Sequence, residues 1–246
     1  MKDYQVVAII PAAGAGQRMN AGINKIWLPL FGEKILTHVL RVFCQSGSVD
    51  HIVLVVNDSE IAEIKAYLNE EWEQYLAKFS VVPGGRERQE SVGNGLVYLQ
   101  NWPGWFSERR IVAIHDAARP LITDRLLNIA IAECLIYNAV GVGVPVKDTI
   151  KRIDSSGFVE STLERDVLWA IQTPQVFDYD LIFDCYRQIL NLKHTFTDEC
   201  SIAEHCGRRV KLVQGSYENF KITTPEDLLL AEIIMRRRIG ANRAGV

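Results

Sequence analysis

Three short apolar runs constrain this chain most. Val6–Ile10, Ile52–Val56 and Ile111–His115 are nearly continuous in Val, Ile, Leu and Ala. A strand with one wet face alternates apolar and polar residues. An unbroken apolar run belongs to a strand covered on both faces. The segments between the runs carry helical spacing instead. Ile35, Leu36, Val39, Leu40 and Phe43 form one stripe. Ile61, Ile64, Leu68, Trp72, Tyr75, Leu76 and Phe79 form a longer one at spacings of three and four. Further helical patterns run over 90–100, 124–137 and 179–192, and further strand runs over 140–146 and 210–214. This alternation predicts an α/β chain, Rossmann-like, with a mostly parallel sheet and helices on both faces. For the last helix, Thr224 is the expected cap, with Pro225, Glu226 and Asp227 in the first turn. Arg236, Arg237 and Arg238 are expected to balance the negative end of its dipole on a solvated face.

One stretch, residues 144–166, breaks the rhythm. Gly and Val alternate up to it, and the turn Asp154-Ser155-Ser156-Gly157 separates two extended segments. This predicts a protruding β-hairpin arm rather than another βαβ unit. An isolated hairpin is at best marginally stable, so the arm is expected to pack on a second copy of the chain. The whole chain reads as one domain, 1–246, with the arm as a subregion of it.

Composition excludes several classes. The 246 residues carry 27 Lys plus Arg against 30 Asp plus Glu, a net charge of −3, which leaves no basic footprint for bulk nucleic-acid binding. No apolar run reaches the roughly 20 residues of a membrane helix, so no membrane partner is expected. The N-terminus lacks the basic, apolar and small-residue pattern of a signal peptide, which makes the cytoplasm the expected compartment. The five cysteines are widely spaced and form no C-x-x-C, so neither a disulfide framework nor a zinc site is signalled.

The chemistry begins where the first strand ends. Pro11-Ala12-Ala13-Gly14-Ala15-Gly16-Gln17-Arg18-Met19 is a small-residue loop beyond the carboxyl end of a strand, where α/β sheets bind ligands. Small side chains let backbone N–H groups approach a phosphate chain. Met19 stands where the third glycine of a dinucleotide fingerprint would be, and no Gly-Lys-Ser/Thr comes after it, so this is neither a Rossmann fingerprint nor a P-loop. Two cations accompany the loop, Arg18 near its end and Lys25 a few residues beyond. A second constellation, His115-Asp116-Ala117-Ala118-Arg119-Pro120, comes after a buried strand. Its Asp116 is placed for Mg²⁺ or for substrate hydroxyls. Alternatively, Asp116 caps a turn and pairs with Arg119.

The segments PAAGAGQRM and NKIWLPLFGEKIL resemble the signature loop and downstream lysine of the sugar-type nucleotidyltransferases. His-Asp-Ala-Ala-Arg-Pro resembles one branch of them, the 2-C-methyl-D-erythritol 4-phosphate cytidylyltransferase family of the non-mevalonate isoprenoid pathway. Further segments fit that family in order: 84–92, 146–151, Arg165 with 168–175, 197–199 and 219–228. The resemblance implies condensation of CTP with 2-C-methyl-D-erythritol 4-phosphate, release of pyrophosphate, a need for Mg²⁺, and a homodimer joined through the arm. It places Ala12, Ala13, Gly14 and Gly16 against CTP, and Gly85 and Ser91 at the cytosine. Arg18 and Lys25 would stabilise the transition state, and Arg165 and Lys221 would hold the erythritol phosphate. Thr149, Thr173, Thr197 and Thr223 would be hydroxyl partners. Asp116 and Arg119 would contact substrate hydroxyls or the metal shell, with Asp116 as the candidate metal ligand. In the family, arm residues serve the neighbouring subunit, so Thr149 and Arg165 are expected to act in trans.

The sequence departs from the family pattern at four places. Gln17 stands where many relatives are basic, Asn24 where proline is usual, Arg86 where the loop is small or acidic, and Glu90 where Asp is common. The sequence ends soon after its final helix, so no fused cyclodiphosphate synthase domain is expected. Three other readings compete. They are a ribitol 5-phosphate cytidylyltransferase, a non-catalytic nucleotide-binding subunit on the same fold, and a Rossmann-type dehydrogenase, which the missing third glycine disfavours.

Overall fold

A computed structural model describes residues 2–14, 24–192 and 194–244. The apolar runs become the middle of one seven-stranded sheet. It is built from β1 (Tyr4–Pro11), β4 (His51–Val56), β5 (Phe79–Pro83), β6 (Arg109–Ile114), β7 (Ala139–Pro145), β10 (Trp169–Asp178) and β11 (Lys211–Gln214), in the order β11-β7-β10-β6-β1-β4-β5. β2 (Pro29–Leu30) and β3 (Glu33–Lys34) form a small separate ladder. β10 alone runs against its neighbours; the other sheet pairings are parallel. The expected α/β architecture is therefore present.

The helices are α1 (Ile35–Gln45), α2 (Ile61–Glu71), α3 (Arg88–Gln100), α4 (Asp124–Tyr137), α5 (Tyr179–Ile189), α6 (Glu199–His205) and α7 (Pro225–Ala244). Successive strand residues point to opposite faces, and this divides the core in two. Val6, Ala8 and Ile10 pack with α1, α2 and α4, whereas Val7 and Ile9 pack with α3, α5 and α6. The cover on both sides explains why these strands carry no polar alternation. A third cluster seats α7 through Ala231 and Ile234 against Leu30, Leu121 and Ile222. Among the described residues, no helix is long and apolar enough to cross a membrane.

Local chemistry sets several element ends. Thr123 caps α4 by accepting from Leu126 N at 3.3 Å, and Asp198 caps α6 in a reciprocal box with Ser201. Thr224 accepts from Asp227 N at 3.4 Å, as expected of the α7 cap.

Three sequence expectations differ in detail. The stripe over 61–79 is not one helix. α2 stops at Glu71, a 3₁₀ segment covers Glu73–Lys78, and Phe79 opens β5. A 3₁₀ turn also brings residues three apart to one side, so the apolar spacing continues across the break. Arg236–Arg238 lie inside α7 rather than at its end, because the helix runs on to Ala244. There Arg238 pairs with Glu218 at 2.8 Å. The reversed strand β10 has no apolar run to announce it, since Gln172, Thr173 and Gln175 are buried within it.

The arm is a hairpin of β8 (Lys151–Ile153) and β9 (Val159–Thr162), which among the described residues form a separate two-stranded sheet. Asp154 Oδ1 accepts from the N–H groups of Ser156 and Phe158, both at 2.9 Å, and Gly157 supplies a φ of +86°. Every residue of both strands is exposed.

Candidate active site

Chain order reverses at β1, between β4 and β6, and ligands of open α/β sheets bind beyond the carboxyl ends of strands at such a point. A cleft lies there. The loop after β1 supplies Ala12, Ala13 and Gly14. The loop after β5 supplies Gly85, Arg86 and Glu87 and leads into Arg88 and Ser91, and the loop after β6 supplies Asp116 to Ala118. Lys25 and Lys221 complete the wall. Among the described lining residues, four are cationic and two are acidic, so the cleft favours an anion.

Each wall is braced from behind. Gly84 N–H donates to Val56 O at 2.7 Å, and a Cβ at Gly84 would lie 2.6 Å from the Ala13 side chain. Only glycine lets the two loops come this close. Ser91 Oγ accepts from Gly85 N at 3.1 Å and donates to the Glu87 carbonyl at 3.1 Å, and Glu90 Oε2 accepts from Arg86 N at 2.7 Å. Asn24 accepts from Ile26 N and donates to the Ala12 carbonyl at 2.8 Å, which fixes the turn that carries Lys25. Lys25 Nζ donates to the Ile222 carbonyl at 3.1 Å, beside Lys221.

Asp116 is the electrostatic centre. Its Oδ1 accepts from Arg88 Nε at 2.8 Å, and its Oδ2 meets Lys221 Nζ at 3.0 Å and Arg119 Nε at 3.5 Å. Burial pushes the carboxyl pKa up, but Arg88, Lys221 and Arg119 outweigh burial and hold it well below the usual carboxylate range. Behind Asp116 runs a chain of polar contacts. Asp116 N–H donates to Thr173 Oγ1 at 3.1 Å, Thr173 Oγ1 meets His115 Nδ1 at 3.0 Å, and His115 Nε2 meets the Arg119 carbonyl at 3.2 Å. All three contacts are satisfied when Thr173 donates to Nδ1 and the imidazole proton sits on Nε2. Burial lowers the His115 pKa to about 4, so the ring is neutral there at pH 7.

Of the residues expected from the sequence, Ala12, Ala13, Gly14, Lys25, Gly85, Ser91, Asp116 and Lys221 are brought together at the cleft. Arg119 and Thr173 lie just behind Asp116. Thr223 sits close by, its hydroxyl donating to Asp227 at 2.8 Å. Thr197 is exposed one residue before the α6 cap. Thr149 and Arg165 are exposed near the arm and outside the cleft lining, with Arg165 donating to the Lys147 carbonyl at 3.0 Å. Gly16 and Arg18 lie outside the described residues. Sequence reasoning gave no role to Arg88 or Glu199. Arg88 grips the fully buried Glu199 through Nη1 at 2.7 Å and Nη2 at 2.9 Å. The pair spans 111 residues, and no local spacing signals it. Among the described residues, no three His, Cys, Asp or Glu side chains gather as a metal site.

Comparison with known proteins agrees with this geometry. The family model for 2-C-methyl-D-erythritol 4-phosphate cytidylyltransferase matches residues 6–237. The cytidylyltransferase of that name from Halalkalibacterium halodurans is 44% identical over 236 residues, covering 96% of this chain and 98% of the relative. That from Caldanaerobacter subterraneus is 41% identical over 232 residues, covering 94% and 99%. The crystal structure of 4-diphosphocytidyl-2C-methyl-D-erythritol synthase from Anaerococcus prevotii superposes with a TM-score of 0.81 at 33% identity, covering 95% of this chain and 97% of that one. A Francisella tularensis cytidylyltransferase structure gives 0.75 at 28% identity, covering 92% and 98%. With the cleft at the switch point of the sheet and nearly the whole chain matched, the protein belongs to the 2-C-methyl-D-erythritol 4-phosphate cytidylyltransferase family.

Proposed function

We propose that the cleft condenses CTP with 2-C-methyl-D-erythritol 4-phosphate to give 4-diphosphocytidyl-2-C-methyl-D-erythritol and pyrophosphate. The carrying observation is the convergence of Lys25, Lys221 and the Arg88–Asp116 pair on the small-residue loop after β1. A phosphate oxygen of the substrate attacks the α-phosphorus of CTP in line, a new P–O bond forms, and the bond to the β-phosphate oxygen breaks with release of pyrophosphate. The attacking phosphate is ionised at neutral pH, so no general base is needed. The obstacle is charge, which preorganised cations address. Arg18 and Lys25 take the growing charge on the triphosphate. Lys221 and Arg165 hold the second substrate's phosphate, with Thr149, Thr197 and Thr223 as hydroxyl partners and Asp116 and Arg119 toward its hydroxyls, while Thr173, whose hydroxyl is taken by His115 and the Asp116 N–H, supports Asp116 from behind. Ala12, Ala13, Gly14 and Gly16 line CTP. Gly85 and the Ser91-braced loop meet the cytosine edge, where an amino donor sits beside acceptors.

Mg²⁺ would supply further charge neutralisation. Both Asp116 oxygens already face cations, so a direct Asp116–Mg²⁺ bond does not fit this arrangement. The triphosphate oxygens would hold the ion, as Mg²⁺ sites built on substrate phosphates do. The chain acts as a single nucleotidyltransferase domain over 1–246 in the cytoplasm, and as a homodimer joined by the arm over 144–166. The exposure of Phe158 at 74% and Val159 at 60% supports that partner surface.

The test is pyrophosphate release with CTP and Mg²⁺, offering methylerythritol phosphate and ribitol 5-phosphate separately. Release with methylerythritol phosphate alone is expected. Release with ribitol phosphate alone replaces the substrate, and CTP binding without release with either replaces the enzyme by a nucleotide-binding subunit.

A further inference from the structure

Glu199 is fully buried at the start of α6 and does not line the cleft. Both its oxygens are taken by the guanidinium fork of Arg88, and Tyr186 adds its hydroxyl to Oε1 at 3.2 Å. Burying such a pair is expensive, and a buried salt bridge is weak evidence of stability. What the pair does hold is Asp116. With both Arg88 terminal nitrogens pinned by Glu199, Nε is left to fix Asp116 Oδ1 at 2.8 Å. Only Oδ2 then faces Lys221 and Arg119.

We propose that Glu199 and Arg88 are positioning residues for the transfer reaction. They set the Asp116 carboxylate so that it orients Lys221 toward the incoming phosphate without capturing it. This inference rests on the cytidylyltransferase reading above. If Oδ1 were released, the carboxylate would be free to turn and draw the Lys221 ammonium away from the substrate's path. Charge and positioning make opposite forecasts. Arg88, Arg119 and Lys221 against Asp116 and Glu199 leave one net positive charge in the cluster. Neutralising Glu199 raises that charge, so a purely electrostatic role predicts tighter binding of a phosphate substrate. A positioning role predicts slower transfer.

The experiment is a double-mutant cycle on kcat/KM for methylerythritol phosphate at saturating CTP. It uses wild type, Glu199→Gln, Asp116→Asn and the double variant. Glu199→Gln is expected to lose roughly 10²-fold, the scale of an ångström-sized misplacement. Added to Asp116→Asn it is expected to cost less than about threefold, because both changes break one chain of contacts. Fully additive losses, or a lower KM with unchanged kcat in Glu199→Gln, overturn the proposal. If Glu199→Gln fails to fold, Tyr186→Phe takes its place in the cycle, with a smaller loss that also disappears beside Asp116→Asn.

A second readout needs no turnover. The Arg88 Nε–H signal in NMR should be protected in the wild type and lost in both Asp116→Asn and Glu199→Gln. A signal that Glu199→Gln leaves unmoved overturns the proposal. Wild type that releases no pyrophosphate with methylerythritol phosphate overturns the functional reading, while this signal still decides the role of the pair.

Discussion

Lys25 comes to the cleft on a three-residue turn held by Asn24 and points at the Ile222 carbonyl across 197 residues of sequence. Removing its ammonium takes a charge from the cleft and a hydrogen bond from the Ile222 carbonyl. Lys25→Ala is expected to lower kcat by about 10²–10³, with a cooperative thermal unfolding transition retained; near-normal turnover would remove Lys25 from the mechanism. His115 behaves differently because it is buried. Its ordinary pKa is 6.5, and burial brings it to about 4 in the fold. The unfolded chain therefore takes up its proton first. The stability is full above pH 6.5 and falls as the pH drops through the window toward 4, by up to about 3 kcal/mol. Asp116 does not blur this window, since its depressed pKa costs stability only below its ordinary 3.8. Urea unfolding at pH 7 and pH 4.5 should show the loss, and His115→Asn should reduce the difference between the two.

At the scale of elements, the proposal that the arm completes a neighbouring site makes a forecast of its own. Every residue of β8 and β9 is exposed, and Arg165 lies outside the cleft lining. If the arm seats on a second copy, as proposed, Arg165 acts in that copy's cleft. Lys25→Ala and Arg165→Ala proteins should each be nearly inactive. Mixed under conditions that exchange subunits, they should regain activity, because one site of each hybrid pairs an intact body with an intact arm. No recovery in a hybrid verified by native mass spectrometry would place Arg165 in its own subunit's site or outside catalysis.

Over the whole molecule, the sheet and its two helical layers fix where these elements stand. α3 carries Arg88 and Ser91 at its start and packs on β1 and β4 with Gly95 at the closest approach. A Cβ there would lie 2.9 Å from Ile9 Cγ2 and 3.3 Å from Val55 Cγ2, both on stiff β-branched side chains. Alanine normally favours a helix over glycine by about 1 kcal/mol. Here overpacking is expected to win, with Gly95→Ala destabilising the protein by roughly 1–3 kcal/mol in urea unfolding. A stabilised variant would show that α3 has room to move.

Much of this was legible in the sequence because it is local. Val6–Ile10 reads as a two-sided strand from its own composition, and the loop from Pro11 and the lysine at 25 sit at the strand end where a nucleotide cleft belongs. Asp124–Tyr137 and the Asp154–Gly157 turn come from periodicity and turn chemistry within a few residues. The tertiary structure decided what local patterns do not encode. β10 runs against both β6 and β7, and its buried Gln172, Thr173 and Gln175 find partners on distant segments at Ser216, Asp116 and Cys200. α2 ends at Glu71, a 3₁₀ segment intervenes, and Phe79 pairs with Ile52 in the ladder with β4. Arg88 and Glu199 meet because α3 and α6 pack on the same face of the sheet. A sequence records the spacing of neighbours along the chain, and a charge pair across 111 residues exists only once the sheet has folded the chain back on itself.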